Sequence, residues 1–256
     1  MENGTIYTKT TDIEHLNMNT HFHEAHHQLI YMIKGTLRVR VAETQYFLPE
    51  GFIGLVPAKV MHSLHSRNEM VKMFLIYYPS NLELNEFTLF NANDFIIENL
   101  RYLSKQEQQI DRVVHSVLFN YAYSFIALLN RSEEEHTFPV RGLIAPKNDR
   151  LAEIMQYLER NYSNPIDLNT VAKKFGFSSR NLTRLFKKEN ISFNNYVNYI
   201  RVVHAIEMFT DHHESVESVA YAVGYSTASN FSRTFRKYTG FSPREFINAN
   251  ATRAIF

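Results

Sequence analysis

The fold of this chain is decided by the stretch Val219-Ala220-Tyr221-Ala222-Val223-Gly224-Tyr225-Ser226, which repeats Val171-Ala172-Lys173-Lys174-Phe175-Gly176-Phe177-Ser178 after 48 positions. After each copy comes a second run of matched residues, now at an offset of 49: Leu182, Arg184, Phe186, Lys187 and Lys188 recur as Phe231, Arg233, Phe235, Arg236 and Lys237. Each unit has the pattern of a helix, a glycine-containing turn and a basic second helix. Two helix-turn-helix units in one short domain are typical of proteins that place two helices in the DNA major groove, so the sequence predicts a transcription regulator.

Length and composition are those of a globular protein with one large domain or two ordinary ones. Of the 256 residues, 45% are hydrophobic, which is enough to build packed cores. No stretch approaches the roughly 18 to 20 apolar residues that span a bilayer, and the polar N-terminus lacks a signal-peptide core. We therefore expect a soluble, cytoplasmic protein. The chain contains no cysteine, which excludes disulfides, thiolate metal sites and a cysteine nucleophile.

The net charge of +1 hides an uneven distribution of charge along the chain. Residues 1–148 contain 13 Lys and Arg against 16 Asp and Glu, whereas residues 149–256 contain 14 against 10. The C-terminal part is therefore the basic one, as expected of a domain that faces phosphates.

Residues 18 to about 80 have the pattern of short β-strands. Leu29–Ile33 is a continuous apolar run, and Leu37–Val41, which follows Lys34-Gly35, alternates apolar with polar residues. Glycines and prolines separate further short runs, among them Met73–Tyr78. Many short strands joined by turns predict a small β-sandwich or barrel.

From about Asn91 the apolar residues recur at helical spacing. The residues that recur every three or four positions are Ile110, Val113, Val114, Val117, Leu118, Tyr121, Phe125 and Leu128. This stripe predicts a long amphipathic helix that packs on the β-domain or on a second copy of itself, so we expect a homodimer. The predicted fold class is α+β: a β-barrel with a helical hairpin, followed by an all-α domain with two helix-turn-helix units.

Three segments are expected along the chain. Residues 1–135 form an effector-binding or dimerisation domain, residues 136–148 form a linker without periodicity, and residues 149–256 form the DNA-binding domain. In the last segment, Asn148 or Asp149 is predicted to cap the first helix.

Cap residues also mark the first helix-turn-helix unit. Asp167 opens its first helix, and Ser178 or Ser179 caps its second. A connecting helix is predicted from about Phe193 to Phe209. Such a helix would hold the second helices of the two units about one DNA turn apart, roughly 34 Å.

Outward-facing polar residues mark the second helix of each unit, which we call the recognition helix. In the first unit Leu182, Leu185 and Phe186 face the core, and the residues expected to face outward are Arg180, Asn181, Thr183, Arg184 and Lys187. In the second unit Phe231 and Phe235 face the core, and the outward residues are Thr227, Ala228, Ser229, Asn230, Arg233 and Arg236. Arginine suits guanine, asparagine suits adenine, and a lysine near the helix end suits phosphate. The alternative is a merely solvated helix face, which the matching spacing of the two copies disfavours.

At these residues the chain resembles the AraC/XylS family of bacterial regulators. The matches in the second unit are Val219-Ala220, Gly224-Tyr225, Phe231-Ser232, Phe235-Arg236, Gly240-Phe241 and Ser242-Pro243. Those in the first unit are Ser178, Leu182, Leu185-Phe186-Lys187, Ser192-Phe193, Tyr196, Arg201 and Ala205. Matches spread in this way over both units are far more specific than a lone helix-turn-helix motif.

The resemblance implies a monomer that places two helices in successive major grooves and activates transcription by contact with RNA polymerase. It implies base contacts from Arg180, Thr183, Arg184, Ala228, Ser229 and Arg233. Many members of the family carry an N-terminal cupin-like domain that binds a small-molecule effector or mediates dimerisation.

A cluster of histidines is the second unusual feature. His21 and His23 are spaced to share one face of a strand, and His62 on a later strand would complete a facial site for Zn, Mn, Fe or Ni. The spacing resembles the two cupin motifs, except that Gln28 replaces the usual carboxylate. Three interpretations stay open: a divalent metal site formed by the three histidines, a metal-free effector pocket lined by His21, His23, Gln28 and His62, and incidental surface histidines.

Three functional classes follow from these patterns. The first is a DNA-binding regulator, with no enzymatic activity, controlled by a small-molecule effector. The second is a regulator whose N-terminal half only dimerises or binds a protein partner. The third, a metal-cupin enzyme fused to a DNA-binding domain, lacks a clear carboxylate ligand and any other catalytic grouping.

Overall fold

The computed structural model describes residues 4–42, 44–129, 143–144, 148–189, 191–212 and 214–253. The strands are β1 (Thr5–Glu14), β2 (Asn17–His21), β3 (His26–Lys34), β4 (Leu37–Val41), β5 (Thr44–Leu48), β6 (Phe52–Val56), β7 (His62–His65), β8 (Met70–Pro79), β9 (Thr88–Asn91), β10 (Gln109–Asp111) and β11 (Leu143–Ile144). The helices are α1 (Asp94–Ser104), α2 (Ser116–Leu129), α3 (Asp149–Arg160), α4 (Leu168–Lys174), α5 (Ser179–Lys188), α6 (Phe193–His212), α7 (Val216–Ala222), α8 (Ala228–Thr239) and α9 (Pro243–Arg253).

Two sheets form the β-rich part of the chain. One has the strand order β10-β1-β8-β3-β6-β9 and the other the order β11-β5-β4-β7-β2. As the apolar runs predicted, β3 is buried along almost its whole length, whereas β4 alternates between buried and more exposed residues. A β-rich unit followed by a helical unit confirms the predicted α+β class.

The core of the β-rich unit combines residues of the six-stranded sheet with residues of α1 and α2. The sheet contributes Leu29, Phe74 and Ile76 among others, and the two helices contribute Ile97, Leu100, Phe119, Phe125 and Ile126. Because α1 and α2 cover this sheet with apolar side chains, their burial stabilises the unit through the hydrophobic effect.

The prediction of one continuous helical stripe from Ile110 was wrong at its start. Ile110 lies in β10, opposite Ile6 of β1, and α2 begins only at Ser116. Val113 and Val114 lie in the intervening turn, where the Asp111 carboxylate accepts their backbone N–H groups at 2.7 and 3.0 Å. The predicted hairpin is therefore two helices separated by a strand.

The helical unit begins and turns where the capping residues predicted. Side chains of Asn148, Asp167 and Ser178 accept the backbone N–H of the third following residue at the starts of α3, α4 and α5. The connecting helix α6 extends a few residues beyond the predicted end, to His212. None of the helices in the described ranges is long and apolar enough to span a membrane.

The chain divides into two compact units, the first mainly from residues up to Phe138 and the second mainly from Pro139–Ile247. Of the predicted linker, only residues 143–144 and 148 fall within the described ranges. The boundaries 1–135, 136–148 and 149–256 therefore stay predictions.

Candidate DNA interface and effector site

The first helix-turn-helix unit consists of α4 and α5. Gly176 joins the two helices with a backbone φ of +73°, in the left-handed region that favours glycine. Leu182 and Phe186 of α5 are fully buried. Because these two residues are four positions apart, they anchor one face of α5 and leave the opposite face to solvent.

The second unit, α7 and α8, repeats this arrangement. Gly224 joins the helices with a φ of +88°, and Ser215 and Thr227 cap them. Phe231 and Phe235 are fully buried and belong to a group of aromatic rings, with centroids 5.5 to 6.2 Å apart, that includes Phe209, Tyr225 and Phe246. This packing fixes the face that α8 presents to solvent.

Nearly all of the predicted DNA-binding residues lie on these two solvent faces. Those that are exposed are Arg180, Asn181, Arg184, Lys187, Thr227, Ser229, Asn230, Arg233 and Arg236, whereas Thr183 and Ala228 are half-buried. The Thr183 hydroxyl donates to the Ser179 carbonyl oxygen at 2.8 Å, and the Thr227 hydroxyl accepts the Asn230 N–H at 3.2 Å. Both threonines thus have local partners, so the larger donors are better placed to meet bases or phosphates.

Arg201 of α6 is a structural residue whose role the sequence did not reveal. Its Nε and Nη2 donate to the carbonyl oxygens of Tyr162 and Asn164 at 2.9 and 3.0 Å. Its guanidinium lies 5.4 Å from the Tyr225 ring centroid, and the Tyr225 hydroxyl lies 3.0 Å from Asn198 Oδ1. Arg201 therefore ties the loop that follows α3 to the turn of the second unit.

The predicted histidine cluster forms in the β-rich unit. His21 ends β2 and His62 begins β7, but His23 lies in the loop after β2 and not on the strand that the spacing predicted. The three ring centroids are 4.3 to 5.3 Å apart, and one ring nitrogen of each lies within 4.8 Å of the others. The three side chains therefore converge as a facial site requires.

Gln28 connects this cluster to Tyr77. Its Oε1 lies 3.0 Å from His62 Nε2 and 3.3 Å from His23 Nε2, and its Nε2 lies 3.3 Å from the Tyr77 hydroxyl. His62 Nδ1 donates to the Val60 carbonyl oxygen at 3.0 Å, so Nε2 of the neutral ring carries a lone pair. The Gln28 oxygen and this nitrogen are both acceptors, so they cannot form a hydrogen bond in this orientation of the amide. Rotating the Gln28 amide by 180° lets its NH2 group donate to both Nε2 atoms and its oxygen accept from the Tyr77 hydroxyl.

Burial lowers the pKa of two of the three histidines, His62 and His23. It lowers the pKa of His62 to about 4, the adjacent His21 and His23 act in the same direction, and the hydrogen bond to Val60 opposes them. The pKa of His23 is also lowered, chiefly by burial and then by His21. His23 and His62 are therefore neutral imidazoles at neutral pH, available as acceptors or metal ligands rather than as cations.

An apolar patch on the surface of the β-rich unit is formed by Val113, Val114, Val117, Tyr121, Leu128 and Tyr102. Val117 is 84% exposed and Leu128 is 60% exposed. A groove of about 460 Å³ is lined by Tyr102, Val117, Leu118 and Tyr121. The stripe predicted from the sequence is thus covered by the sheet on one side only.

Sequence comparisons match both units. Residues 4–96 match the AraC-like ligand binding domain, and residues 171–249 match a helix-turn-helix domain. The HTH-type transcriptional activator RhaS of Enterobacter sp. (strain 638) is 30% identical over 172 residues, which are 66% of this chain and 58% of that protein. The HTH-type transcriptional regulator GbdR of Pseudomonas aeruginosa (strain UCBPP-PA14) is 31% identical over 117 residues, which are 45% of this chain and 32% of that protein.

A comparison of folds finds fatty-acid-bound ToxT from Vibrio cholerae strain SCE256, with 14% identity, a TM-score of 0.39 and coverage of 96% of both chains. Of the two sequence relatives, this chain spans 58% of the length of RhaS and 32% of the length of GbdR. The two domain matches occur in one chain, in this order, and together cover more than half of it. The chain therefore belongs to the AraC/XylS family of transcriptional regulators.

Proposed function

We propose that the protein is a sequence-specific DNA-binding regulator of transcription, and an activator, that acts in the bacterial cytoplasm. The observation that carries the proposal is the repeated helix-turn-helix unit. In each copy a buried apolar face fixes the recognition helix and a polar face of α5 or α8 is left exposed. The excess of basic residues after residue 149 supports attraction to phosphates.

The direct contacts to bases are expected from the long exposed donors of each recognition helix. Arg180 and Arg184 of α5, and Arg233 of α8, are the arginines suited to guanine. Asn230 Oδ1 accepts from Arg233 Nη2 at 3.4 Å, an arrangement that orients this guanidinium. Phosphate contacts are expected from basic residues in the last turn of each helix, namely Lys187 and Arg236, to which the structure adds the exposed Lys188 and Lys237.

The test removes one arginine from each recognition helix. An operator is first selected from random DNA with the full chain, and Arg184→Ala and Arg233→Ala are then compared with Arg160→Ala. Arg160 is an exposed arginine at the end of α3, outside both units, so its variant loses the same charge. Each recognition-helix variant should lose about 1 to 3 kcal/mol, roughly 5- to 150-fold in affinity, and Arg160→Ala should lose far less.

Loss of affinity that is equal in all three variants would show that only overall charge matters. Operator affinity that is unchanged in both recognition-helix variants would reject the assignment of these helices as the recognition elements.

The N-terminal unit is proposed to bind a small-molecule effector without converting it, at a site lined by His21, His23, Gln28 and His62. The support is the convergence of ring nitrogens on a buried amide inside a unit whose sequence matches a ligand-binding domain. The effector must bind one conformation of the protein better than another in order to change DNA binding or contact with RNA polymerase.

The same unit is proposed to form a homodimer through its apolar patch. Monomeric proteins rarely expose contiguous apolar surfaces of this kind, and Val117 and Leu128 on one face of α2 favour a second copy of the same helix as the partner. The same surface supports the second hypothesis, in which the unit only dimerises and binds no effector.

A further inference from the structure

The imidazoles of His21 and His62 are each hydrogen-bonded through Nδ1 to a backbone carbonyl two residues earlier in the chain. His21 Nδ1 donates to the Asn19 carbonyl oxygen at 2.8 Å, and His62 Nδ1 donates to that of Val60 at 3.0 Å. In an unprotonated ring, each hydrogen bond fixes the tautomer that carries its lone pair on Nε2. Metal-binding histidines are usually oriented in this way, by a hydrogen bond from the other ring nitrogen.

The spacing of the three rings suits a small cation. Bonds of about 2.0 to 2.1 Å to a tetrahedral ion place the ligand nitrogens about 3.3 Å apart. Since the ring nitrogens of His21, His23 and His62 already lie within 4.8 Å of one another, closure requires at most about 1.5 Å. His21 and His23 are half-buried, at a strand end and in a loop, respectively.

The chemistry of the ligands selects the ion. Imidazole nitrogens favour zinc, nickel, cobalt and copper, whereas magnesium and calcium require oxygen ligands. Gln28, whose amide lies 3.3 Å from His23 Nε2 and 3.0 Å from His62 Nε2, contributes no negative charge. A divalent ion held by three imidazoles therefore keeps its full charge and attracts an anion to its open coordination positions.

We propose that His21, His23 and His62 bind a divalent ion of the zinc, nickel or cobalt class, and that this ion holds the anionic end of the effector. This inference rests on the proposed effector-binding role of the N-terminal unit. Gln28 contributes in two ways. Its NH2 group donates to the ring nitrogens of His23 and His62 when the ion is absent, and because the amide is neutral it does not reduce the positive charge of the bound ion. The effector class is accordingly a carboxylate or another small oxyanion.

The experiment titrates the metal-free full chain with Co²⁺, followed by visible absorption, and with Zn²⁺, followed by calorimetry. One ion per chain should bind with a tetrahedral or five-coordinate cobalt spectrum, and Mg²⁺ should not compete. His23→Ala and His62→Ala should weaken binding by at least about 100-fold. His65→Ala is the matched control, because it removes an exposed imidazole from the same strand as His62 and should leave binding unchanged.

Anion capture is tested by adding acetate to the cobalt-loaded protein, with neutral acetamide as the control. Acetate should change the cobalt spectrum and acetamide should not. Gln28→Glu should bind Co²⁺ about 10-fold more tightly, because it adds a carboxylate ligand, and should respond less to acetate. Far-UV circular dichroism of the metal-free variants establishes that each is folded.

Absence of Co²⁺ and Zn²⁺ binding at millimolar concentration would overturn the metal site, as would binding that survives both His23→Ala and His62→Ala. A cobalt spectrum that acetate leaves unchanged would overturn the anion half of the proposal. None of these measurements involves DNA, so their failure leaves the regulator proposal standing. Failure of DNA binding would likewise leave the metal site untouched.

Discussion

Replacement of Gly224 by alanine should be much more damaging than the same change at Gly176, although the two glycines occupy equivalent turns. Both have left-handed backbone angles, which cost an alanine about 1 to 2 kcal/mol. A Cβ at Gly176 would meet nothing within 4 Å. At Gly224 it would lie 2.8 Å from the Ser163 carbonyl oxygen, 2.9 Å from that of Tyr162 and 2.9 Å from Arg201 Nη2.

The difference between the two variants comes from this second set of contacts. Two of the three atoms are backbone oxygens, which cannot rotate away, and the third belongs to a guanidinium that is hydrogen-bonded to the same loop. Overpacking of this kind costs about 1 to 3 kcal/mol, so Gly224→Ala should lose about 2 to 5 kcal/mol in total. Gly176→Ala should lose only about 1 to 2 kcal/mol of stability, the cost of the left-handed backbone angle.

The assay is urea unfolding of the full chain, followed by the far-UV helix signal to which the C-terminal unit contributes most. Operator affinity measured in parallel reports whether the second unit keeps its position. Equal losses of stability in the two variants would refute the reasoning, because they would show that the loop carbonyls and Arg201 do not limit the space at Gly224.

Three further outcomes are expected. Val117→Asp should convert a dimer into a monomer in sedimentation at micromolar concentration, whereas Met70→Asp, which places the same charge at an exposed apolar residue of β8, should not; a monomeric wild-type chain would contradict the dimer. The pKa of Asp167 is held below its usual value because its carboxylate accepts the backbone N–H and the hydroxyl of Thr170, so its stabilisation is present above the unfolded pKa and lost as the pH falls through the folded one. Asp167→Asn keeps a capping oxygen but removes this contribution to the pH dependence of stability. If the acid-unfolding curves of the wild-type protein and Asp167→Asn were parallel, the prediction would be wrong. The double variant His23→Ala, His62→Ala should bind the operator normally but abolish effector-dependent expression of a reporter. A normal response of the reporter would mean that the effector binds elsewhere, or that the N-terminal unit only dimerises.

Local chemistry explains which parts of the fold could be predicted. The caps could be predicted to within one residue, as Asn148 or Asp149, Asp167, and Ser178 or Ser179, because a short side-chain oxygen before an apolar period satisfies backbone donors only two or three residues away; the structure has Asn148, Asp167 and Ser178. The exposed faces of α5 and α8 followed from the positions of their buried residues in the same way. The periodicity of a single helix carried this information.

Long-range pairing explains what could not be predicted. Ile110 has the spacing of a helical residue, but its place in a strand depends on β1, about a hundred positions earlier in the sequence. Tyr77 enters the histidine site because β3 and β8 pair with Gln28 opposite Tyr77, a register that no local pattern reveals. Arg201 matched the family pattern, yet its partners Tyr162, Asn164 and Tyr225 lie on other elements.

The two recognition helices of one chain carry different residues, and this has a consequence for the DNA site. Arg180 on α5 corresponds to Ser229 on α8, although Asn181 and Arg184 recur as Asn230 and Arg233 and both helices end in basic turns. The sequence preferred by one monomer is therefore asymmetric: it has a left and a right end, and the bound protein faces one way along the double helix. The site of a single monomer is therefore not a palindrome, and reversing that site relative to the promoter should alter transcription without altering affinity.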